Sequence, residues 1–108
     1  MDVAIRALAD PRRREILALI RDRELAAGDI ATRFDVTRPA ISQHLAVLRE
    51  ANLVTERRDG TRRIYRANTQ TMAELRAFLD DYWTSGLERL RDVAEAAETR
   101  KRQQKGHG

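Results

Sequence analysis

Residues 37–54 read TRPAISQHLAVLREANLV. As a helix, this stretch sets Ile41, Leu45 and Leu48 on one face at the i, i+4, i+7 spacing of an amphipathic segment. The opposite face carries Arg38, Ser42, Gln43 and Arg49, donors and acceptors that can reach outward. Thr37 is suited to the N-cap, where its hydroxyl accepts from a free amide of the first turn. Pro39 in that turn gives up no intrahelical hydrogen bond. A short capped helix with one apolar and one base-readable face suits a DNA major groove. An ordinary surface helix has the same pattern, so the flanks must decide.

Upstream, Asp35-Val36 forms a tight turn out of a short helix over Leu25 to Phe34, with Ile30, Ala31 and Phe34 on its buried side. Gly28 lies near the start of that helix, where glycine is tolerable. Two short helices joined this tightly make a helix-turn-helix, whose second helix enters the groove. Arg21 to Glu24 is a charged connector. Before it, Asp10-Pro11 marks a helix start, predicting a helix from Pro11 to Arg21 with Ile16, Leu17 and Ile20 inward. Arg12, Arg13 and Arg14 crowd its first turn, where the helix dipole disfavours positive charge. Asp10 or an anionic partner could offset them, but a solvated face is the simplest account. Val3, Ile5 and Leu8 fit a short amphipathic N-terminal helix that ends near Ala9.

Downstream the period changes. Leu53 to Arg58 and Thr61 to Arg66 read as strands around Asp59-Gly60, the signal of a two-residue type I′ hairpin. That turn opposes Arg58 to Thr61, Arg57 to Arg62, Glu56 to Arg63 and Val54 to Tyr65. Glu56 and Arg63 make a favourable pair, whereas Arg57 and Arg62 are like charges face to face. A phosphate between those two arginines explains their retention better than splaying into water does.

From Thr69 to Lys101 the chain reads as one long helix. Thr71 and Glu74 have capping-box spacing, although Asn68 or Thr69 could start the helix earlier. Met72, Leu75, Leu79, Tyr82, Trp83, Leu87, Leu90, Ala94 and Ala97 recur at threes and fours. Such a helix is on the order of 45 Å long, more than a small domain's own core can cover. A second copy of the chain is the simplest cover for the surplus stripe. Tyr82 and Trp83 then read as core or interface anchors rather than parts of a ligand pocket. From Arg100 to Gly108 the chain is basic and glycine-bearing and reads as a disordered tail, adding nonspecific DNA attraction or nothing.

The 108 residues allow one domain, or a domain with an extension. A net charge of +4, almost all from arginine, favours an anionic partner, although a GC-rich genome alone would enrich arginine. With no cysteine there is no disulfide, thiol switch or cysteine metal site. No apolar run has the length of a membrane span and no signal-peptide core opens the chain, so a cytoplasmic location is expected.

ALADPRRREIL (7–17), LAAGDIATRFDVTRPAISQHLAVLREANLV (25–54) and the TERRDGTRRIYRA hairpin (55–67) closely resemble the ArsR/SmtB winged helix-turn-helix repressors. The resemblance runs from about Ala4 to Ala97, and the S-x-H-L element at Ser42 to Leu45 with the following hairpin makes it specific. It implies a mainly α fold with a small β-hairpin wing, in the order α-α-α-α-β-β-α. The domain would occupy residues 1–100, with dimerisation helices at about 1–9 and 69–100 and the basic tail at 101–108. A homodimer is implied, paired through its first and last helices, which places Val3, Ile5, Leu8, Leu79, Tyr82, Trp83, Leu87 and Leu90 at the interface. Its partner is double-stranded DNA carrying a pseudo-palindromic operator.

Carried over by position, Arg38, Pro39, Ser42 and Gln43 face bases, with Thr37 near phosphate. His44, beside Leu45 on the flank, is a DNA-backbone or phosphate contact or a packed helix residue, not a base reader, and Arg49 is a candidate phosphate or minor-groove contact. Arg57, Arg58, Arg62 and Arg63 of the wing reach phosphate or the minor groove. The chain departs from the family's metal sensors, which use cysteines on the third helix or clustered Asp and His on the last. Here the histidines are His44 and His107 alone, and adjacent Asp80 and Asp81 diverge by about 100° on a helix. No metal site and no cofactor are expected. The ADPRRR start and FLDDYW segment look most like relatives without metal sites, some of which act as autorepressors or with a partner protein.

Two other binding roles fit less well: a small-molecule-responsive regulator with a dimer-interface pocket near Trp83, and a winged helix that binds protein instead of DNA. The sequence identifies no effector. An enzyme fits least. Ser42 and His44, two apart on a helix, point in different directions, and no phosphate-cradling glycine loop is present.

Overall fold

A computed structural model describes residues 1–106, with side chains through Gln103. The elements are α1 (Asp2–Leu8), α2 (Pro11–Leu19), β1 (Leu25–Ala26), α3 (Ala27–Phe34), α4 (Arg38–Glu50), β2 (Val54–Asp59), β3 (Arg62–Ala67) and α5 (Thr69–Gly106). They form two units, residues 1–75 and residues from 76 onward.

The first unit closes around Ile16, Ile20, Ile30, Ile41, Leu45, Leu48 and Leu53, all essentially inaccessible to solvent. The periodicity of α2, α3 and α4 therefore points where the sequence places it. In α1 the buried residues are Ala4 and Ala7, while Val3 and Ile5 are 59% and 40% exposed. Two alanines one turn apart let a short helix lie close against its neighbours, so the larger residues turn outward and Leu8 is half-buried.

Asp10 caps α2 as its position predicts, accepting from the amides of Arg12 at 2.8 Å and Arg13 at 3.3 Å. The helix stops at Leu19 rather than Arg21, because Ile20 leaves helical geometry at φ −99°, ψ 13°. The carbonyl of Ile20 then accepts from Ala67 at the end of β3.

Leu25 and Ala26 are a strand, not the first turn of α3. They pair with Tyr65 and Ile64 to give a three-stranded antiparallel sheet in the order β1-β3-β2. The hairpin register also differs from the expected one. The observed pairs run from Val54 opposite Ala67 to Asp59 opposite Arg62, leaving Gly60-Thr61 as the turn. Gly60 takes φ 64° at the first central position, where type II′ turns favour glycine. Arg57 therefore opposes Ile64, Glu56 opposes Tyr65, and the directly opposed like charges are Arg58 and Arg63. Shifting each residue's partner by two positions preserves which side chains share a face, so the pleat could not discriminate the two registers.

After α4, Asn52 adopts the left-handed conformation at φ 61°. The Asn52 amide donates to Arg49 at 2.9 Å and the Leu53 amide to Leu48 at 2.9 Å, closing a Schellman motif. The Asn52 side chain donates to the Thr71 hydroxyl and accepts from Asn68. Asn68, rather than the anticipated Thr71–Glu74 box, caps α5 by accepting from the Thr71 amide at 3.3 Å.

In the second unit, α5 continues to Gly106, so residues 101–106 are helical where a disordered tail was expected. His107 and Gly108 lie outside the described residues. Phe78, Leu79, Tyr82, Trp83, Leu87, Leu90 and Val93 are all exposed on this helix. The i,i+4 pairs Arg76–Asp80, Arg91–Glu95 and Arg102–Glu98 support it.

Candidate nucleic-acid interface

The helix-turn-helix begins where α3 ends. Asp35 at φ 51° reverses the chain, in the left-handed region that aspartate enters more readily than most residues. Thr37 then starts α4, its hydroxyl accepting from Ala40 at 3.3 Å, with Pro39 in the first turn. Ile41, Leu45 and Leu48 anchor the helix inward, which leaves Thr37, Arg38, Pro39, Ser42, Gln43 and Arg49 exposed. His44 is half-buried on the flank. Burial would raise the nearby Asp10 carboxyl, but the Arg13 and Arg12 amides, with His44 and the Arg13 guanidinium close by, hold it below the ordinary 3.8.

A concave groove of about 570 Å3 separates α4 from the hairpin. Arg38, Ser42 and Arg49 line it from α4, and Arg62 and Arg63 from β3. The groove thus gathers five of the residues read as DNA contacts. Thr37, Pro39, Gln43, His44, Arg57 and Arg58 lie outside its lining.

The arginines are not bare cations. Glu56, with only 15% of its side chain exposed, takes Arg49 at 3.2 Å and Arg63 at 4.0 Å, so it fixes one guanidinium from α4 and one from the wing. Burial first, then the nearby Glu56 carboxylate, push the Tyr65 phenol above its ordinary range, against the opposing pull of Arg63. Arg62 pairs with Asp29 in the first turn of α3 at 2.5 Å, and Arg57 with Glu24 at 2.6 Å. Both partners lie 33 residues away in sequence, so no local pattern marks them. Among the described residues, Arg38 and Arg58 have no carboxylate within 4.0 Å.

The triple arginine of α2 has a different use from the solvated face expected of it. Arg13 donates to the Ala7 carbonyl at 2.5 Å, and Arg14 to the Leu8 carbonyl at 2.7 Å, satisfying free acceptors at the end of α1. Arg12 pairs with Glu15 at 3.0 Å and lies 5.1 Å from the centroid of the Phe34 ring. Among the described residues no group of three His, Asp or Glu side chains is placed to hold a metal ion, and no helix is long and apolar enough to cross a membrane.

Comparison with known proteins matches residues 10–56 to the arsR family of bacterial regulatory proteins. The HTH-type transcriptional regulator Rv2034 of Mycobacterium tuberculosis is 46% identical over 86 residues, covering 80% of this chain and 80% of that protein. The transcriptional repressor SdpR of Bacillus subtilis is 36% identical over 74 residues, covering 68% of this chain and 82% of that protein. The solution structure of a homodimeric winged helix-turn-helix DNA-binding domain from Mycobacterium bovis matches with a TM-score of 0.64 at 35% identity, covering 73% of each chain. With the α3–α4 pair and the hairpin that follows it, the chain belongs to the ArsR family as a winged helix-turn-helix, DNA-binding transcriptional regulator.

Proposed function

We propose that the chain is a repressor that binds a pseudo-palindromic operator as a homodimer. The observation that carries this reading is the shared groove, where Arg38, Ser42 and Arg49 of α4 stand opposite Arg62 and Arg63 of the wing. In a dimer, two α4 helices would read major grooves about one turn, or 34 Å, apart. Arg38, Pro39, Ser42 and Gln43 would meet base edges, with the arginine fork suited to guanine and the amide to adenine. Thr37, Arg49, Arg58, Arg62 and Arg63 would hold phosphates and set the register without reading sequence. Arg57 and Arg62, on the opposite sheet face from Arg58 and Arg63, would reach the backbone only by leaving Glu24 and Asp29. His44 packs on the helix flank and reads no base.

The interface would bury Val3, Ile5 and Leu8 from α1 and Leu79, Tyr82, Trp83, Leu87 and Leu90 from α5. Support comes from the exposure of these apolar residues, all but Leu8 being open to solvent, and from the homodimeric relative. In this reading the protein acts in the cytoplasm, on DNA, without enzymatic activity and without a metal. Repression rests on the naming of relatives such as the Bacillus repressor.

Selection of bound sequences from a random duplex pool, with the winner's affinity followed against salt, tests the proposal. A pseudo-palindrome bound with a steep salt slope supports a dimeric operator reader. Tight binding that ignores sequence reduces the role to an architectural one, and no binding refutes it.

A further inference from the structure

The two closest ion pairs of the wing share one design. In each, a hairpin arginine meets a carboxylate from the segments flanking β1, Arg62 with Asp29 in α3 and Arg57 with Glu24 just before the strand. Asp29 occupies the first turn of α3, where the helix dipole holds an anion in place. Both members of the Arg62–Asp29 pair remain about half exposed, at 58% and 51% of their side chains. A guanidinium held this way already has a carboxylate oxygen where a phosphate oxygen would sit. Exposed pairs are weak, so a DNA phosphate can displace the carboxylate. Glu56 differs, since it is mostly buried and serves two arginines at once.

We infer that Asp29, and Glu24 beside it, are internal phosphate stand-ins that compete with DNA for Arg62 and Arg57 and so limit the wing's sequence-independent attraction to nucleic acid. This inference rests on the DNA-binding reading above. Each time Arg62 exchanges Asp29 for a phosphate, the freed carboxylate must be solvated and draws a counterion. Binding then releases fewer net ions than the number of arginines at the backbone would give. The competition acts on phosphate contacts only and is indifferent to base sequence.

Salt titration of full-length protein on a random-sequence duplex, followed by fluorescence anisotropy, tests this. Asp29→Asn keeps the side-chain shape and removes the charge. Glu98→Gln, which removes an equal charge from α5, corrects for net charge. Asp29→Asn is expected to bind about two- to fivefold tighter than Glu98→Gln, the range an exposed ion pair allows. Its salt slope should be steeper by about one. Both effects should vanish in an Arg62→Ala background. Equal binding by the two variants, or an undiminished gain without Arg62, would overturn the inference while leaving DNA binding intact. A wild-type protein that binds no duplex would overturn both. Should Asp29→Asn fail to fold, Glu24→Gln in the connector before β1 makes the same measurement through Arg57, and an absent gain there counts equally against the inference.

Discussion

Asn52 joins the end of α4 to the start of α5, and its removal should be felt well beyond its own size. The residue sits at φ 61°, where an ordinary β-carbon costs about 1–2 kcal/mol. Its side chain also makes two hydrogen bonds, to Thr71 and Asn68, each worth about 0.5–1.5 kcal/mol net. Asn52→Ala loses both contributions, and partial exposure places the hydrogen bonds at the low end. The expected loss is about 2–3 kcal/mol. Asn52→Gly loses the same hydrogen bonds but relieves the backbone, so its net loss should be about 1 kcal/mol or less. Urea unfolding at one fixed protein concentration measures both, since association contributes to apparent stability. In thermal unfolding the alanine variant should melt about 10 °C lower than wild type, by the usual scaling for a domain of this size. If glycine and alanine destabilise equally, backbone strain at this position is not what Asn52 relieves.

Gln43→Ala should alter the preferred operator in a repeated selection, because Gln43 is exposed on the outward face of α4; an unchanged preference would place that face away from the bases. Arg58→Ala should weaken binding to all duplexes alike and reduce the salt slope by about one, with no loss of stability, since this arginine has no carboxylate partner among the described residues. Trp83→Asp, at a position 67% exposed, should convert a dimer to monomer in sedimentation while leaving the helical circular dichroism intact; a persisting dimer would move the interface elsewhere. The Asp10 carboxyl is held below its ordinary 3.8, so its contribution is present above the unfolded value and disappears as pH falls through the lower folded value. Unfolding curves at stepped pH should show a shallower acid limb for Asp10→Ala than for wild type, and identical limbs would contradict the cap's role.

What could be read in the chain was what local rules govern. The N-caps at Asp10 and Thr37 and the apolar spacing of Ile41, Leu45 and Leu48 act within a turn or two, so α2 and α4 were legible with their inward faces. The hairpin was legible as an element, but Asp59-Gly60-Thr61 admits two turns that give the same faces. The pairing of Val54 with Ala67 shows which of the two forms. β1 is two residues long, too short to show alternation, and exists only because β3 offers it an edge. The ion partners of Arg57 and Arg62 follow from that same sheet, which is why an opposed arginine pair was anticipated where each instead meets a carboxylate. Asn52 could have been found, since an asparagine just after a periodic helix and before a leucine is a stop signal.

The brevity of β1 also divides the wing mechanically. Its two rungs clamp the hairpin at Ile64 and Tyr65, while residues 58–63 project beyond them with no neighbouring strand on the β1 side. The clamped stem carries Val54, Tyr65 and Ala67 into the core, so bending there would open the hydrophobic interior. The overhanging tip carries no core residue and is tied back by side-chain ion pairs such as Arg62–Asp29, so it is expected to bend more easily than the stem. Amide protons of the stem should consequently exchange with solvent orders of magnitude more slowly than those at the tip, with the break falling at the last rung of β1.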